Sequence, residues 1–188
     1  HAYNNAIGLA KSYLKLDEID YSQVGNFGGI GLGKNYDNSS IAKLKKTIKY
    51  KIKTITLNDF LHLKKCNFLK MDVETMEIEI LKGGLTFIKK FRPIMWIENH
   101  FETPNEINKF LSSIEYNSYW VPTLMFNQNN HFLNSNNFFG KIMTANSLAI
   151  PKEFNKKFET RFFEKALSLN FLPTKAFAST FSDSLRNS

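Results

Sequence analysis

Three carboxylates crowd the stretch Phe68-Leu69-Lys70-Met71-Asp72-Val73-Glu74-Thr75-Met76-Glu77. Asp72 closes a short apolar run and Glu74 follows it. Glu77 lies where the apolar spacing changes from strand-like to helix-like. A carboxylate so placed can take a hydroxyl proton as general base, or can favour a cationic ligand electrostatically. Glu98 ends a second apolar run and His100 follows two residues later. The Glu98-x-His100 pair suits a proton shuttle or a metal ligand pair; the plainer reading is a polar strand end facing solvent. Asp72 with Glu74 could hold Mg²⁺, but two acids alone are a weak signal. His62 and His131 have no partners at ligand spacing, so no structural zinc site is expected, and no metal is assigned.

These side chains need a scaffold. Residues 68–73 read as a strand, the acids as a tight turn, and 76–82 as a helix capped by Gly83 or Gly84. Ligands sit at the carboxyl ends of strands in open α/β sheets, so the turn at Asp72 and Glu74 is the leading site. Upstream, residues 50–57 alternate as a strand. Thr56 and Asp59 have capping-box spacing, which starts a short helix near Asn58. Downstream, 85–91 add a further helical turn that Pro93 ends. Residues 94–98 are apolar throughout, as in a strand covered on both faces. Thr103, Pro104 and Glu106 open a helix whose buried face is Ile107, Phe110, Leu111 and Ile114. Residues 116–122 and 141–150 are strands, separated by asparagine-rich turns within 126–133.

The ends are less regular. Residues 1–7 read as the end of a strand closing on Asn4-Asn5. Residues 9–21 mix helix-like and strand-like fragments, and the pattern does not choose between them. The glycine-rich stretch 24–34 lacks the spacing of a nucleotide-binding loop and reads as a turn or hairpin. The expected fold class is α/β, with a mostly parallel sheet and an antiparallel end. Pro151 marks a boundary. Residues 1–151 form one domain, and 152–188 a basic amphipathic helix with a polar tail. Phe154, Phe158, Phe162 and Ala166 recur at four-residue spacing on that helix. It docks on the domain or on a partner, or lies on a membrane surface.

A chain of 188 residues with 43% hydrophobic residues can bury a sizeable core. The single cysteine, Cys66, excludes an intrachain disulfide and suits the cytoplasm; it reads as a buried structural thiol. No apolar run is long enough to span a bilayer. The net charge of +8 admits nucleic acid, anionic lipid or a phosphorylated substrate as partners. Its densest cluster, residues 43–53, alternates lysines with Ile48, Tyr50 and Ile52, which is the pattern of a solvated strand face, and nucleic acid is not expected.

Lys70 to Gly84 resembles the K-x-D-x-E-G-x-E-x-x-x-L-x-G-[AG] signature of FkbM-type methyltransferases, a branch of the class I S-adenosylmethionine (SAM) enzymes. Four further pieces are similar and in order: Tyr3-Asn4-Asn5-Ala6-Ile7-Gly8, Thr54-Ile55-Thr56-Leu57-Asn58-Asp59-Phe60, Arg92-Pro93-Ile94-Met95-Trp96-Ile97-Glu98 and Asn146-Ser147-Leu148-Ala149-Ile150-Pro151. One departure stands out: Thr75 occupies the signature's glycine position, where it could cap the following helix instead. The resemblance implies a Rossmann-like sheet of order 3-2-1-4-5-7-6 and methyl transfer from SAM to a hydroxyl of a sugar, glycolipid or polyketide-like molecule. It implies Asp72, Glu74 and Glu98 as catalytic residues, and Asn5, Ala6 and Asp72 at the cofactor. Glu74, Glu77 and His100 would meet the substrate, although Glu77 could instead stabilise its own helix N-terminus. By the same resemblance the chain begins at the third strand, without the glycine-rich loop and the ribose-binding acid, so weak SAM binding by this stretch alone is expected. Two other readings stand beside it: a non-enzymatic basic module for an anionic partner, and a Mg²⁺-dependent phosphoryl hydrolase.

Overall fold

The computed structural model describes residues 1–22, 24–25, 27–31, 44–99, 104–140 and 142–154. The chain divides into two compact units, His1–Pro93 and Ile94–Ser188.

The first unit holds a three-stranded sheet of order β1-β3-β2, with β1 at Ala6–Ile7, β2 at Ser12–Ile19 and β3 at Leu44–Ile55. β1 runs parallel to β3, placing Ala6 opposite Thr54, and β2 runs antiparallel to it. The ambiguous stretch 9–21 is therefore a strand over most of its length. Its register against β3 slips on either side of Asp17, which marks a bulge. The lysine-rich segment lies on β3, and Lys51 and Lys53 are exposed as expected. Lys51 also lies over the Tyr13 ring, with Nζ 4.4 Å from its centroid.

After β3 comes a 3-10 turn, Leu57–Phe60, where a short helix was expected. Asp59 accepts hydrogen bonds from the Thr56 N–H (3.0 Å) and the Thr56 hydroxyl (3.1 Å), and pairs with Lys11. The Lys11 ammonium and then the Thr56 N–H hold the Asp59 carboxyl below its usual range. A depressed carboxylate adds stability above its unfolded pKa and loses it as pH falls through the folded value. The melting temperature of Asp59→Asn should therefore fall below that of the parent at neutral pH. The gap should close below about pH 4, and added salt should narrow it.

β4 (Phe68–Met71), α1 (Glu77–Gly83) and α2 (Leu85–Phe91) complete the unit. Leu57, Met71, Ile80, Leu81, Phe87 and Ile88 form its buried apolar core. The Phe87 N–H donates to Asn58 Oδ1 (2.9 Å) and Lys90 Nζ to the Leu61 carbonyl (2.6 Å), tying α2 to the 3-10 turn. Arg92, in the left-handed conformation at φ 49°, ends α2 ahead of Pro93. Cys66 is half-buried rather than buried. Its thiol donates to the Phe68 carbonyl at 3.4 Å, and desolvation pushes its pKa up, the reverse of an activated thiolate.

In the second unit β5 (Ile94–Glu98), β7 (Met143–Pro151) and β6 (Tyr116–Leu124) lie side by side in that order. β7 is antiparallel to both neighbours. Among the described strands β6 pairs with β7 alone, an edge position of the kind that accommodates Pro122. α3, Pro104–Ser113, buries Ile107 and Leu111, with Ile114 just beyond; Phe110 is half-buried. β5 was expected to be covered on both faces. Met95 and Ile97 are fully buried, but Ile94, Trp96 and Glu98 are only half-buried. Asn99 is buried here: its Nδ2 donates to Ser147 Oγ (2.9 Å) and its N–H to the Ala145 carbonyl (3.0 Å), while its Oδ1 has no hydrogen-bond partner among the described residues.

The α/β class holds, but the mostly parallel sheet does not describe what is seen inside each unit. Among the described pairings there, β1–β3 is parallel and β2–β3, β5–β7 and β6–β7 are antiparallel. An apolar run in sequence carries no sign of strand direction. The connection fixes it, and β6 and β7 are joined without a crossover helix. Lys152–Phe154 forms a 3-10 turn just past Pro151. The amphipathic helix expected beyond it, Thr103 and His100 lie outside the described residues.

Candidate active site

β4 delivers Asp72 one residue past its carboxyl end, and α1 starts five residues later. The turn between them is tight because two consecutive residues, Glu74 (φ 50°) and Thr75 (φ 74°), take the left-handed conformation. Glu77 closes the turn from the helix side. It is buried, and its carboxylate accepts the Val73 N–H at 3.3 Å. Glu77 was expected at the substrate; in the structure its carboxylate braces the turn that presents Asp72 and Glu74.

That turn forms one wall of a cavity of about 380 Å³ inside the first unit. The apolar lining comes from Ile7, Leu57, Met71, Val73, Met76 and Ile80. Its polar groups are Asn5, Lys70, Asp72 and Glu74. Asn5 and Ala6 reach the same cavity from β1 and the residue before it, so four residues singled out in the sequence meet here. Asn5 Nδ2 donates to the Lys53 carbonyl at 3.4 Å, which anchors it to β3.

Lys70 went unnoticed as a site residue. It lies two residues before Asp72, and that period-two spacing puts both side chains on one face of the strand end. Lys70 Nζ donates to Asp72 Oδ2 at 2.6 Å, and both side chains are about half exposed or more. Gly28 and Ile30 were also missed. They come from the glycine-rich stretch, part of which folds as the 3-10 turn Phe27–Gly29 and borders the cavity. Glu98 belongs to the second unit, where it ends β5 opposite Asn146 of β7.

The family model described as the methyltransferase FkbM domain matches residues 2–119. The chain belongs to the FkbM methyltransferase family. No curated protein and no solved structure gives a match.

The geometry gives physical reasons for several of the FkbM-like pieces. Asn146 Oδ1 accepts the Trp96 indole N–H at 2.9 Å, joining the R-P and N-x-L-A pieces within the second unit. Gly8 and Gly83 belong to two other pieces, and a Cβ built on Gly83 would lie 2.5 Å from the Gly8 carbonyl oxygen. The position where the signature has glycine and this FkbM domain has Thr75 is a left-handed one. The N-cap of α1 is Met76, without a side-chain cap bond, so the capping role expected of Thr75 is not observed. A β-branched residue in the left-handed region costs about 1–2 kcal/mol, and glycine there costs little. Thr75→Gly should raise stability by about 1 kcal/mol after the entropy of the freer unfolded glycine is deducted. Thr75→Asn should fall between the two, because asparagine tolerates this conformation. Chemical denaturation measures the order. A Thr75→Gly variant less stable than the parent would mean that contacts of the threonine outweigh its backbone strain.

Proposed function

We propose that this FkbM domain takes part in SAM-dependent O-methylation of a small hydroxylated molecule of the sugar, glycolipid or polyketide-like class. The observation that carries the proposal is the convergence of Asn5, Ala6, Asp72 and Glu74 on one cavity of the first unit. Its volume of about 380 Å³ is in the range of small-molecule sites. The donor set suits the cofactor: apolar walls for a flat base and a thioether chain, carboxylates for a cationic centre. The order β5-β7-β6, with the last strand inserted between the preceding two, agrees with the closing 5-7-6 of a Rossmann-like class I sheet.

SAM, when bound, supplies an electrophilic methyl group on a sulfonium. Asn5 and Ala6 would hold its adenine end. Asp72 would accept the proton that the acceptor hydroxyl loses, or would offset the sulfonium charge; the Lys70 ammonium keeps the Asp72 oxygen aimed along the strand end. Glu74 would hold the acceptor hydroxyl. The left-handed turn and the buried Glu77 fix these groups before any ligand arrives, which is how orientation lowers a barrier.

The test is transfer of a labelled methyl group from SAM to a panel of hydroxylated sugars, glycolipids and polyketide-like alcohols. The protein should carry any coding sequence found in frame upstream of His1. Label recovered in an acid- and base-stable ether supports the proposal. Label recovered only in base-labile esters or on nitrogen overturns it.

A further inference from the structure

We propose that one face of the β2–β3 pair binds a glycan that carries negative charge, as carboxylate or phosphate, and that such a glycan is the acceptor for the neighbouring cavity. The binding surface stands by itself; the acceptor role rests on the methyl-transfer reading.

Residues directly opposite each other in an antiparallel ladder share a face. Tyr13 is opposite Lys53, and Lys15 is opposite Lys51. All four are exposed, Tyr13 at 56%. The alternate pair, Leu14 with Ile52, is half-buried, so the strands have an outer and an inner face. The Lys15 and Lys53 ammonium groups have no hydrogen-bond or ion-pair partner among the described residues, and Lys51 lies against the Tyr13 ring. Like charges set directly opposite destabilise a sheet, so the Lys15–Lys51 pair is a strain that a bound anion would relieve. Asp17 comes next along β2, but it lies at the slip in register and forms no ion pair with Lys15.

This face lies beside the cavity. Lys53 precedes Thr54, which pairs with Ala6 of β1, and the Lys53 carbonyl accepts Asn5 Nδ2 at 3.4 Å. Asn5, Ala6 and Ile7 line the cavity. The lysines are therefore one strand away from it, about 5 Å.

Charge and spacing select the occupant. Lys51 and Lys53 are two residues apart, about 7 Å along the strand, and Lys15 widens the strip onto β2. Cations spread in this way do not converge on one phosphate; they match an extended ligand with charges at intervals. The Tyr13 ring offers a flat apolar surface to the C–H face of a sugar while its hydroxyl stays in water. Single-stranded nucleic acid stacks successive bases on aromatic side chains, and Tyr13 is the one ring that this ladder face offers among the described residues. A bilayer would need apolar side chains to insert, and the exposed groups in this ladder face are lysines and Tyr13.

The experiment compares, by calorimetry, binding of a galacturonic acid hexamer, a phosphorylated mannose pentamer, a neutral maltose-series hexamer and a short oligouridylate. One or both acidic glycans should bind, and which of them does so distinguishes carboxylate from phosphate. The variant Lys15→Gln, Lys51→Gln, Lys53→Gln should bind that glycan about 10-fold more weakly, the size expected of three exposed charge pairs. It should melt no lower than the parent, because a like-charge cross-strand pair is gone. The variant Lys64→Gln, Lys65→Gln, Lys89→Gln removes the same charge from exposed positions elsewhere in the unit and should bind like the parent. Equal weakening in both variants overturns the proposal, since net charge would then explain the binding. So does a neutral hexamer that binds as well as the acidic glycans, or an oligouridylate that binds more tightly than either. Acidic-glycan binding lost only in the first variant supports the surface even if no methyl group is transferred to any acceptor, a result that would remove the methyl-transfer reading alone. Methyl transfer that prefers neutral acceptors and is unchanged in the first variant would overturn the acceptor role and leave that reading standing.

Discussion

Asp72→Asn should lower kcat/KM for methyl transfer by about 10²–10⁴-fold, the span associated with removing a positioned general base. Stability should hardly change. The Asp72 side chain is 47% exposed and its ion pair with Lys70 lies at the surface, where such pairs contribute about 0–1 kcal/mol. The amide keeps the shape and the hydrogen bond from Lys70 to an oxygen, but it cannot take a proton or carry charge. How the loss divides identifies the role. If Asp72 is the base, kcat falls while KM for SAM stays; if it offsets the cofactor's charge, KM for SAM rises. Glu74→Gln should show instead a raised KM for the acceptor. Full activity in the Asp72→Asn variant would remove the β4 strand end from the mechanism.

This pair of experiments is sharp because Asp72 and Glu74 occupy different positions on a fixed turn. That turn was legible in the sequence. An apolar run, three acids and a change of period announced strand, turn and helix, and each stands within a residue or two of its expected place. What the sequence left hidden was the reason for individual residues. Glu77 looks like Asp72 and Glu74 on paper, yet it lies on the inner face of α1 and is spent on the Val73 N–H. Lys70 escaped notice because a lysine on a strand is ordinarily solvated, and only its period-two relation to Asp72 gave it a partner. β2 resisted assignment because only Leu14 and Leu16 give it an apolar alternation; pairing along β3 settles its conformation. Gly83 or Gly84 was expected to cap α1, and Gly84 does, its N–H donating to the Ile80 and Leu81 carbonyls. Gly84 has φ −103°, which any residue adopts, so a need for the left-handed region does not explain it.

Space explains the glycines, and Gly83→Ala should be among the most destabilising small substitutions in the first unit. A Cβ on Gly83 would lie 2.5 Å from the Gly8 oxygen, 2.6 Å from the Leu9 oxygen and 2.8 Å from Leu9 Cα. All three are backbone atoms, which cannot rotate out of the way. Gly8 is itself fixed to β3 by its N–H bond to the Ile55 carbonyl (2.9 Å) and by the Thr54 methyl, which would stand 2.9 Å from a Cβ there. The end of α1 must therefore back away from β1, carrying Ile80 out of the core. Overpacking of this kind costs about 3 kcal/mol, and the alanine's better helix propensity returns only about 1 kcal/mol of it. Gly84→Ala is the control. Its Cβ would meet Leu57 Cδ1 at 2.6 Å and Leu57 Cβ at 2.7 Å; a new rotamer relieves the first but not the second, so one buried side chain must shift, against the backbone of two residues at Gly83. Chemical denaturation should rank Gly83→Ala below Gly84→Ala, with both below the parent. Because Met76 and Ile80 line the cavity, the Gly83 variant should also lose ligand binding at temperatures where it is still folded. Equal stability of the two variants would mean that α1 is not seated against the backbone of Gly8 and Leu9.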